Sequence, residues 1–157
     1  RQGYGRIIQN SSVLGFVALP FRGAYNASKY AIEGLSDTLR LELQGSNIHV
    51  SLIEPGPIAS QFRTNAVKAL SKYIDIANSF HRDRYQGVLN RLNKPGPAVP
   101  FTLPPEAVLE RVIHALEASR PQARYYVTFP THLFGLLKRI LSTRALDVLL
   151  AKSGNNN

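Results

Sequence analysis

The sequence predicts an α/β fold on a parallel sheet, and three observations carry the prediction. Arg6-Ile7-Ile8-Gln9-Asn10 reads as a short buried strand beside Gly3 and Gly5. A helical pattern then runs from about Ala24 to Leu43. Ile48-His49-Val50-Ser51-Leu52-Ile53-Glu54 reads as a second strand, apolar at alternate positions and continuous at Leu52-Ile53. Strand, helix and strand at this spacing make a βαβ unit, with parallel strands and a right-handed crossover.

The remaining elements follow in order. Val13 to Gly23 reads as a loop with Pro20 inside it. In the main helix, Ala24, Ala27, Ala31, Leu35, Leu39 and Leu43 form a stripe at helical spacing, expected to pack into the core. Gly45 is the helix stop. Residues 60–105 are the least regular stretch, with helical character from Asn65 to Phe80 and a run of structure breakers from Asn93 to Pro100. Pro104-Pro105-Glu106 opens a helix to about Ser119, with proline suited to the first turn and Val108, Val112, Ile113, Leu116 and Ala118 as its buried side. Arg124 to Thr128 has strand composition. Residues 131–152 form an apolar tail interrupted by Lys138, Arg139 and Arg144. It reads either as a helix packed on its own domain or a partner subunit, or as a basic amphipathic membrane-surface helix. Residues from Ser153 onwards are expected to fray.

The chemistry concentrates in Ala24-Tyr25-Asn26-Ala27-Ser28-Lys29. Tyr25 and Lys29, four residues apart, lie on one helix face about a turn from each other. An ammonium about 4 Å from a phenol favours phenolate by about 4 kcal/mol at an effective dielectric near 20. By itself such a pair is either a proton-transfer device near neutral pH or, more commonly, a solvated surface pair. Ser12 follows the first strand, and Pro55-Gly56 follows the second. In open α/β sheets the carboxyl ends of strands are where ligands bind. Two strand ends and one helix face can therefore converge on one site.

Ser12, the Tyr25-x-x-x-Lys29 pair and Pro55-Gly56, in this order and spacing, resemble the short-chain dehydrogenase/reductase family. The likeness runs from about Gly3 to Thr64. Leu19-Pro20-Phe21 and Ala31-Ile32-Glu33-Gly34-Leu35 look like the classical branch, which includes hydroxysteroid and retinol dehydrogenases. The resemblance implies a Rossmann-like doubly wound parallel sheet, of which this chain is the carboxyl-terminal half, in one domain. It implies a substrate lid over residues 60–105, followed by the helical tail over 131–152. Phe62, Phe80, Tyr85 and Phe101 read either as the lining of an apolar pocket in that lid or as the ordinary packing of a long loop.

The implied activity is hydride transfer between a nicotinamide cofactor, NAD or NADP, and an alcohol or carbonyl substrate. Tyr25 would be the general acid/base. Lys29 would tune it and hydrogen-bond the nicotinamide ribose. Ser12 would hold the substrate oxygen, as a placed donor does for developing charge. Pro55 and Gly56 would approach the nicotinamide, with Ile58 and Ser60 near its carboxamide. The family's glycine-rich phosphate turn, its Asn-Ala-Gly segment and its catalytic asparagine have no counterpart in this sequence, which begins Arg1-Gln2-Gly3. The chain is therefore expected to hold a dinucleotide weakly, and the activity to belong to a parent of about 250–280 residues, a length typical of the family. The second reading is a non-catalytic dehydrogenase-like scaffold that binds a partner or a membrane surface.

With 157 residues, 44% of them apolar, the chain can bury a real core and is not a disordered sequence. Absence of Cys excludes disulfide and thiolate chemistry and suits a reducing, cytoplasmic compartment. His49, His81, His114 and His132 lack ligand spacing, so no metal site is expected. The net charge of +9 is spread along the chain with no nucleic-acid-binding signature, so no nucleic-acid partner is expected. The aromatic lid and the basic tail lean towards an apolar substrate. A peripheral membrane contact is the localisation alternative, and a homo-oligomer through the main helix is the further partnership that the resemblance implies.

Overall fold

The computed structural model describes residues 2–93, 96 and 99–155, with residues 154 and 155 described by their backbone alone. Arg1, Lys94, Pro95, Pro97, Ala98, Asn156 and Asn157 lie outside it, so the sequence start, part of the Asn93–Pro100 breaker run and the end of the tail fall outside the described residues. Three parallel strands form the sheet in the order β1 (Tyr4–Asn10), β2 (Asn47–Glu54), β3 (Arg124–Tyr126). β1 pairs with β2 from Tyr4 opposite Asn47 to Asn10 opposite Ile53, and β2 pairs with β3 from Leu52 opposite Arg124 to Glu54 opposite Tyr126. Parallel pairing puts the carboxyl ends of all three strands at one edge. Ser12, Pro55-Gly56 and Thr128 all follow that edge.

β2 is central, and this explains its composition. Val50 to Glu54 are all buried, with Leu52 and Ile53 at the middle. Full burial of such a side chain contributes roughly 1.5–3 kcal/mol. Successive strand residues face opposite sides, so Tyr125 and Tyr126 enter different cores. Tyr125 packs with Ile53, Ala115 and Val127 beneath α4 (Glu106–Glu117). Its hydroxyl accepts from Gln122 N and shares a hydrogen bond with His114 Nδ1, each at 2.9 Å. Tyr126 packs on the other cluster, Leu14, Phe16, Val17 and Leu150. That cluster joins a one-turn 3-10 helix (Val13–Gly15), α1 (Gly23–Glu42), α5 (Phe129–Ile140) and α6 (Thr143–Asn155).

Two expectations about buried faces are corrected. In α1 the stripe does not face the core: Ala24, Ala27, Ala31 and Leu35 are exposed, and only Leu39 and Leu43, the latter just past the helix end, are half-buried. The buried residues are polar, Asn26, Glu33 and Ser36. Each has an internal partner, although Asn26 Oδ1 stays unpaired among the described residues. Asn26 Nδ2 donates to Leu19 O, Ser36 Oγ donates to Ile32 O, and Glu33 pairs with Arg124. In α4, Ile113 and Leu116 point outward, and Ala115 is the fully buried residue because the helix lies close over Ile53 and Tyr125.

The irregular region holds two helices, α2 (Phe62–Tyr73) and α3 (Arg82–Leu92). The helical reading of Asn65 to Phe80 stops short, because Ile74 turns extended with ψ 118°. The tail is two helices that break where Leu141 adopts ψ 145°, and α6 continues through Ser153 to Asn155 where fraying was expected. Gly45 has φ +80°, a conformation that glycine adopts freely, three residues past the end of α1. Among the described residues no helix is long and apolar enough to cross a membrane.

Candidate active site

β1 delivers Ser12 to the sheet edge, where Ser11 N donates to Ile53 O at 2.8 Å and Val13 N donates to Pro55 O at 2.9 Å. These two bonds carry the parallel pairing past the end of β1 and hold the Ser12 turn against Pro55. Ser12 is buried and caps the 3-10 turn, with Oγ accepting from Leu14 N at 3.1 Å. That contact uses an acceptor site and leaves the hydroxyl proton available for a substrate oxygen.

α1 supplies Tyr25 and Lys29 one turn apart. The Lys29 ammonium lies 5.7 Å from the Tyr25 ring centroid. It also donates to Asn10 O, the last carbonyl of β1, at 2.8 Å. Lys29 therefore ties the helix to the strand end that leads into Ser12, a structural duty beside any chemical one. Partial burial pulls its pKa below the ordinary lysine value. The half-buried Tyr25 ring packs on the Leu14–Phe16–Val17 cluster, and Phe62 of α2 meets it edge-on at 5.5 Å.

Arg22, just before α1, was not singled out by sequence reasoning. Burial, and then the charge of Arg91, push its pKa down to about 10, while Tyr25 acts in the opposite sense. Arg91 is itself lowered by burial and by Arg63. Arg22 is thus the guanidinium of this group that interacts with Tyr25.

The segment after β2 separates the other candidates. Pro55 is held by the Ser12 turn. Gly56 is a close approach of a different kind from the one expected: a Cβ there would collide with Thr128 Oγ1 and lie 2.9 Å from Thr131 Oγ1. Those hydroxyls, both fully buried, bond each other at 3.0 Å. Ile58 forms a parallel bridge with Leu103 through Pro57 O and Ala59 N, which leaves its own N–H and C=O outside the bridge. Its side chain packs on the Ile53–Tyr125 core. Ser60 is exposed and opens α2, with Oγ accepting from Phe62 N at 3.3 Å. Ser12, Lys29 and Pro55-Gly56 thus lie at the sheet edge, with Tyr25 one helical turn before Lys29, and Ile58 and Ser60 follow in the segment that runs on to α2.

The four aromatic residues of the expected apolar pocket do not line one cavity. Phe62 meets Tyr25, Tyr85 meets Phe21, Phe101 meets Phe129, and Phe80 is 98% exposed. A cavity of about 810 Å³ beside Phe21 is lined by Asn78, Ser79, His81, Arg82, Asp83 and Arg84 as well as by Phe80. It is a charged and polar hollow, because α3 begins there with Arg82-Asp83-Arg84. Among the described residues no group of three or more His, Cys, Asp or Glu could hold a metal ion.

Below the edge, on the α1 side of the sheet, lies a charged cluster that the sequence did not signal as a unit. Arg124 bridges Glu33, Asp37 and Glu54. Its one sequence signal is Glu54, a carboxylate ending an otherwise apolar central strand directly before Pro55.

Residues 1–71 match the short chain dehydrogenase family. Over 148 residues the chain is 45% identical to the uncharacterized oxidoreductase YbbO of Escherichia coli (strain K12), covering 94% of this chain and 49% of that protein. It is 35% identical over 130 residues to the human 17-beta-hydroxysteroid dehydrogenase type 1, covering 82% of this chain and 38% of that protein. The fold is similar to a crystal structure of a short chain dehydrogenase from Burkholderia cenocepacia J2315 in complex with NADP, with a TM-score of 0.62 at 21% identity, covering 94% of this chain and 49% of that one. The chain spans about half the length or less of these curated relatives. Over the segment it spans, the chain belongs to the short-chain dehydrogenase/reductase family.

Proposed function

We propose that these residues carry the proton-transfer part of an oxidoreductase that moves a hydride between NAD or NADP and an alcohol or carbonyl substrate. The observation that carries this reading is the Tyr25–Lys29 pair on α1, tied through Asn10 to the strand end that presents Ser12. The donor set suits the nicotinamide-ribose end of a dinucleotide. Lys29 uses one of its three N–H groups on Asn10 O, and the Ser12 hydroxyl proton is uncommitted. A bound nicotinamide supplies the redox chemistry.

The chain's own residues do the rest. Ser12 donates a hydrogen bond to the substrate oxygen and holds it near the phenol. Tyr25 gives its O–H proton to a carbonyl oxygen as the carbon is reduced, or accepts the alcohol proton in the reverse direction. Lys29, whose ammonium lies 5.7 Å from the Tyr25 ring centroid, and Arg22, which interacts with Tyr25, bring positive charge to the site. The lid reading of residues 60–105 is supported by the edge contact between Phe62 of α2 and Tyr25. The exposed Ala24–Ala27–Ala31–Leu35 stripe supports a contact between copies of the protein through α1.

The test is Tyr25→Phe in the full-length protein. Removal of a general acid/base lowers kcat by about 10²–10⁴-fold. Nicotinamide-dependent turnover at close to the wild-type rate would end the proposal.

A further inference from the structure

The charged cluster beneath the strand ends is closed among this chain's own residues. Arg124 Nη1 donates to Glu33 Oε2 and to Glu54 Oε1, the latter at 2.6 Å. Its Nη2 donates to both oxygens of Asp37 at 2.8 and 2.9 Å. Ser11 Oγ donates to Glu33 Oε1. Asp37 also pairs with Arg40 at 2.7 Å. Glu54 is fully buried, and its Oε2 has no hydrogen-bond partner.

At the buried centre of this group two carboxylates, Glu33 and Glu54, face one guanidinium, Arg124, while the more exposed Asp37 also pairs with Arg40 and Lys138 of α5 acts on Glu33 and Arg124. A buried carboxylate oxygen without a partner is costly, and a proton on that carboxyl removes the charge. Glu54 is the place for that proton. Burial, then the charge of Glu33, push it up from 4.5 to about 8 against the pull of Arg124.

The neighbours of this cluster along the chain are the site residues. Ser11 precedes Ser12, and Glu54 precedes Pro55-Gly56. A Cβ on Gly15 would meet Ser11 Oγ at 2.6 Å and Glu33 Cγ at 2.9 Å, so the cluster also packs against the turn that Ser12 caps. We propose, on the reading of Ser12 and Pro55-Gly56 as site residues, that Glu33, Glu54 and Arg124 are positioning residues that hold those two strand ends at a fixed separation, and that they do so with the buried Glu54 carboxyl protonated.

The sign of the pH effect follows. The folded protein binds this proton more tightly than the unfolded chain does. The stabilisation is complete below about pH 4.5 and is lost as pH rises through about 8. Above that pH a second buried negative charge faces Glu33, and the strand ends lose their tie.

The experiment compares Glu54→Ala and Glu54→Gln in the full-length protein. Glu54→Ala lowers kcat by up to about a hundredfold with KM little changed, as misplacement of a catalytic group by about 1 Å does. Glu54→Gln copies the protonated carboxyl. It restores kcat at pH 6 and keeps it at pH 9, where the wild type falls by up to about tenfold for each pH unit above the break. Superimposable pH profiles for wild type and Glu54→Gln overturn the proton on Glu54. Failure of Gln to restore what Ala removes overturns the positioning role. Thermal midpoints against pH give a second readout that needs no turnover. The wild-type midpoint should fall between pH 5 and pH 9 relative to that of Glu54→Gln, and parallel curves overturn the proposal. A wild-type protein with no nicotinamide-dependent turnover but a diverging pair of midpoint curves would reject the enzymatic reading and retain the proton.

Discussion

The sheet edge and the region above it are built by different rules. At the edge, backbone bonds from Ser11 to Ile53 and from Val13 to Pro55, the Lys29–Asn10 tie and the Arg124 cluster join four elements within a few ångströms. α2 and α3 bury none of their residues. Arg63, donating to the carbonyls of Arg91, Leu92 and Gly96, is a main polar link between them. The bonds at the edge fix its geometry, which is what the proposed proton transfer needs. The region above it depends on few buried contacts, as expected of a segment that opens and closes or varies with substrate.

Substitutions at the edge and above it should therefore differ in kind. The largest effect is expected from Arg124→Leu, which strands Glu33 and Glu54 without their cation. Breaking a buried pair in this way costs about 3–5 kcal/mol, measured as a shift in the denaturant midpoint of the full-length protein. A cost under 1 kcal/mol would show that the cluster is no anchor. A smaller effect is expected from Gly56→Ala. The added methyl collides with Thr128 Oγ1 and should cost about 1–3 kcal/mol. Thr128→Ala, which removes that oxygen, should recover part of the loss in the double variant. Strict additivity of the two changes would mean that the crowding lies elsewhere. The smallest effect is expected from Phe80→Ala. Its exposed ring leaves stability within about 0.5 kcal/mol while KM shifts. A large loss of stability there would remove the distinction between edge and lid.

The parts legible in the sequence were those with local causes. Both long strands and α1 were placed within a residue or two, because hydrophobic period and turn residues act over short spans. Tyr25 and Lys29 are paired by their spacing alone, because a helix brings residues four apart together. The face that α1 buries was not legible. An alanine and leucine stripe suggests a core, yet Glu33 and Ser36 turn inward because Arg124, 91 residues from Glu33 along the chain, waits on β3. α3 opens on Arg82-Asp83-Arg84, yet its signal was present and missed: Tyr85, Val88, Leu89 and Leu92 recur at helical spacing and form its half-buried face.

The order of residues alone settled the parallel βαβ scaffold and the one-turn spacing of phenol and ammonium, since both follow from backbone geometry over short stretches. Tertiary structure decided that Gly56 yields to Thr128, that Lys29 anchors a strand end, and that three carboxylates share one guanidinium under Ser12 and Pro55. These depend on groups far apart in the chain meeting in a medium that penalises unpaired charge, and no local pattern records which groups will meet.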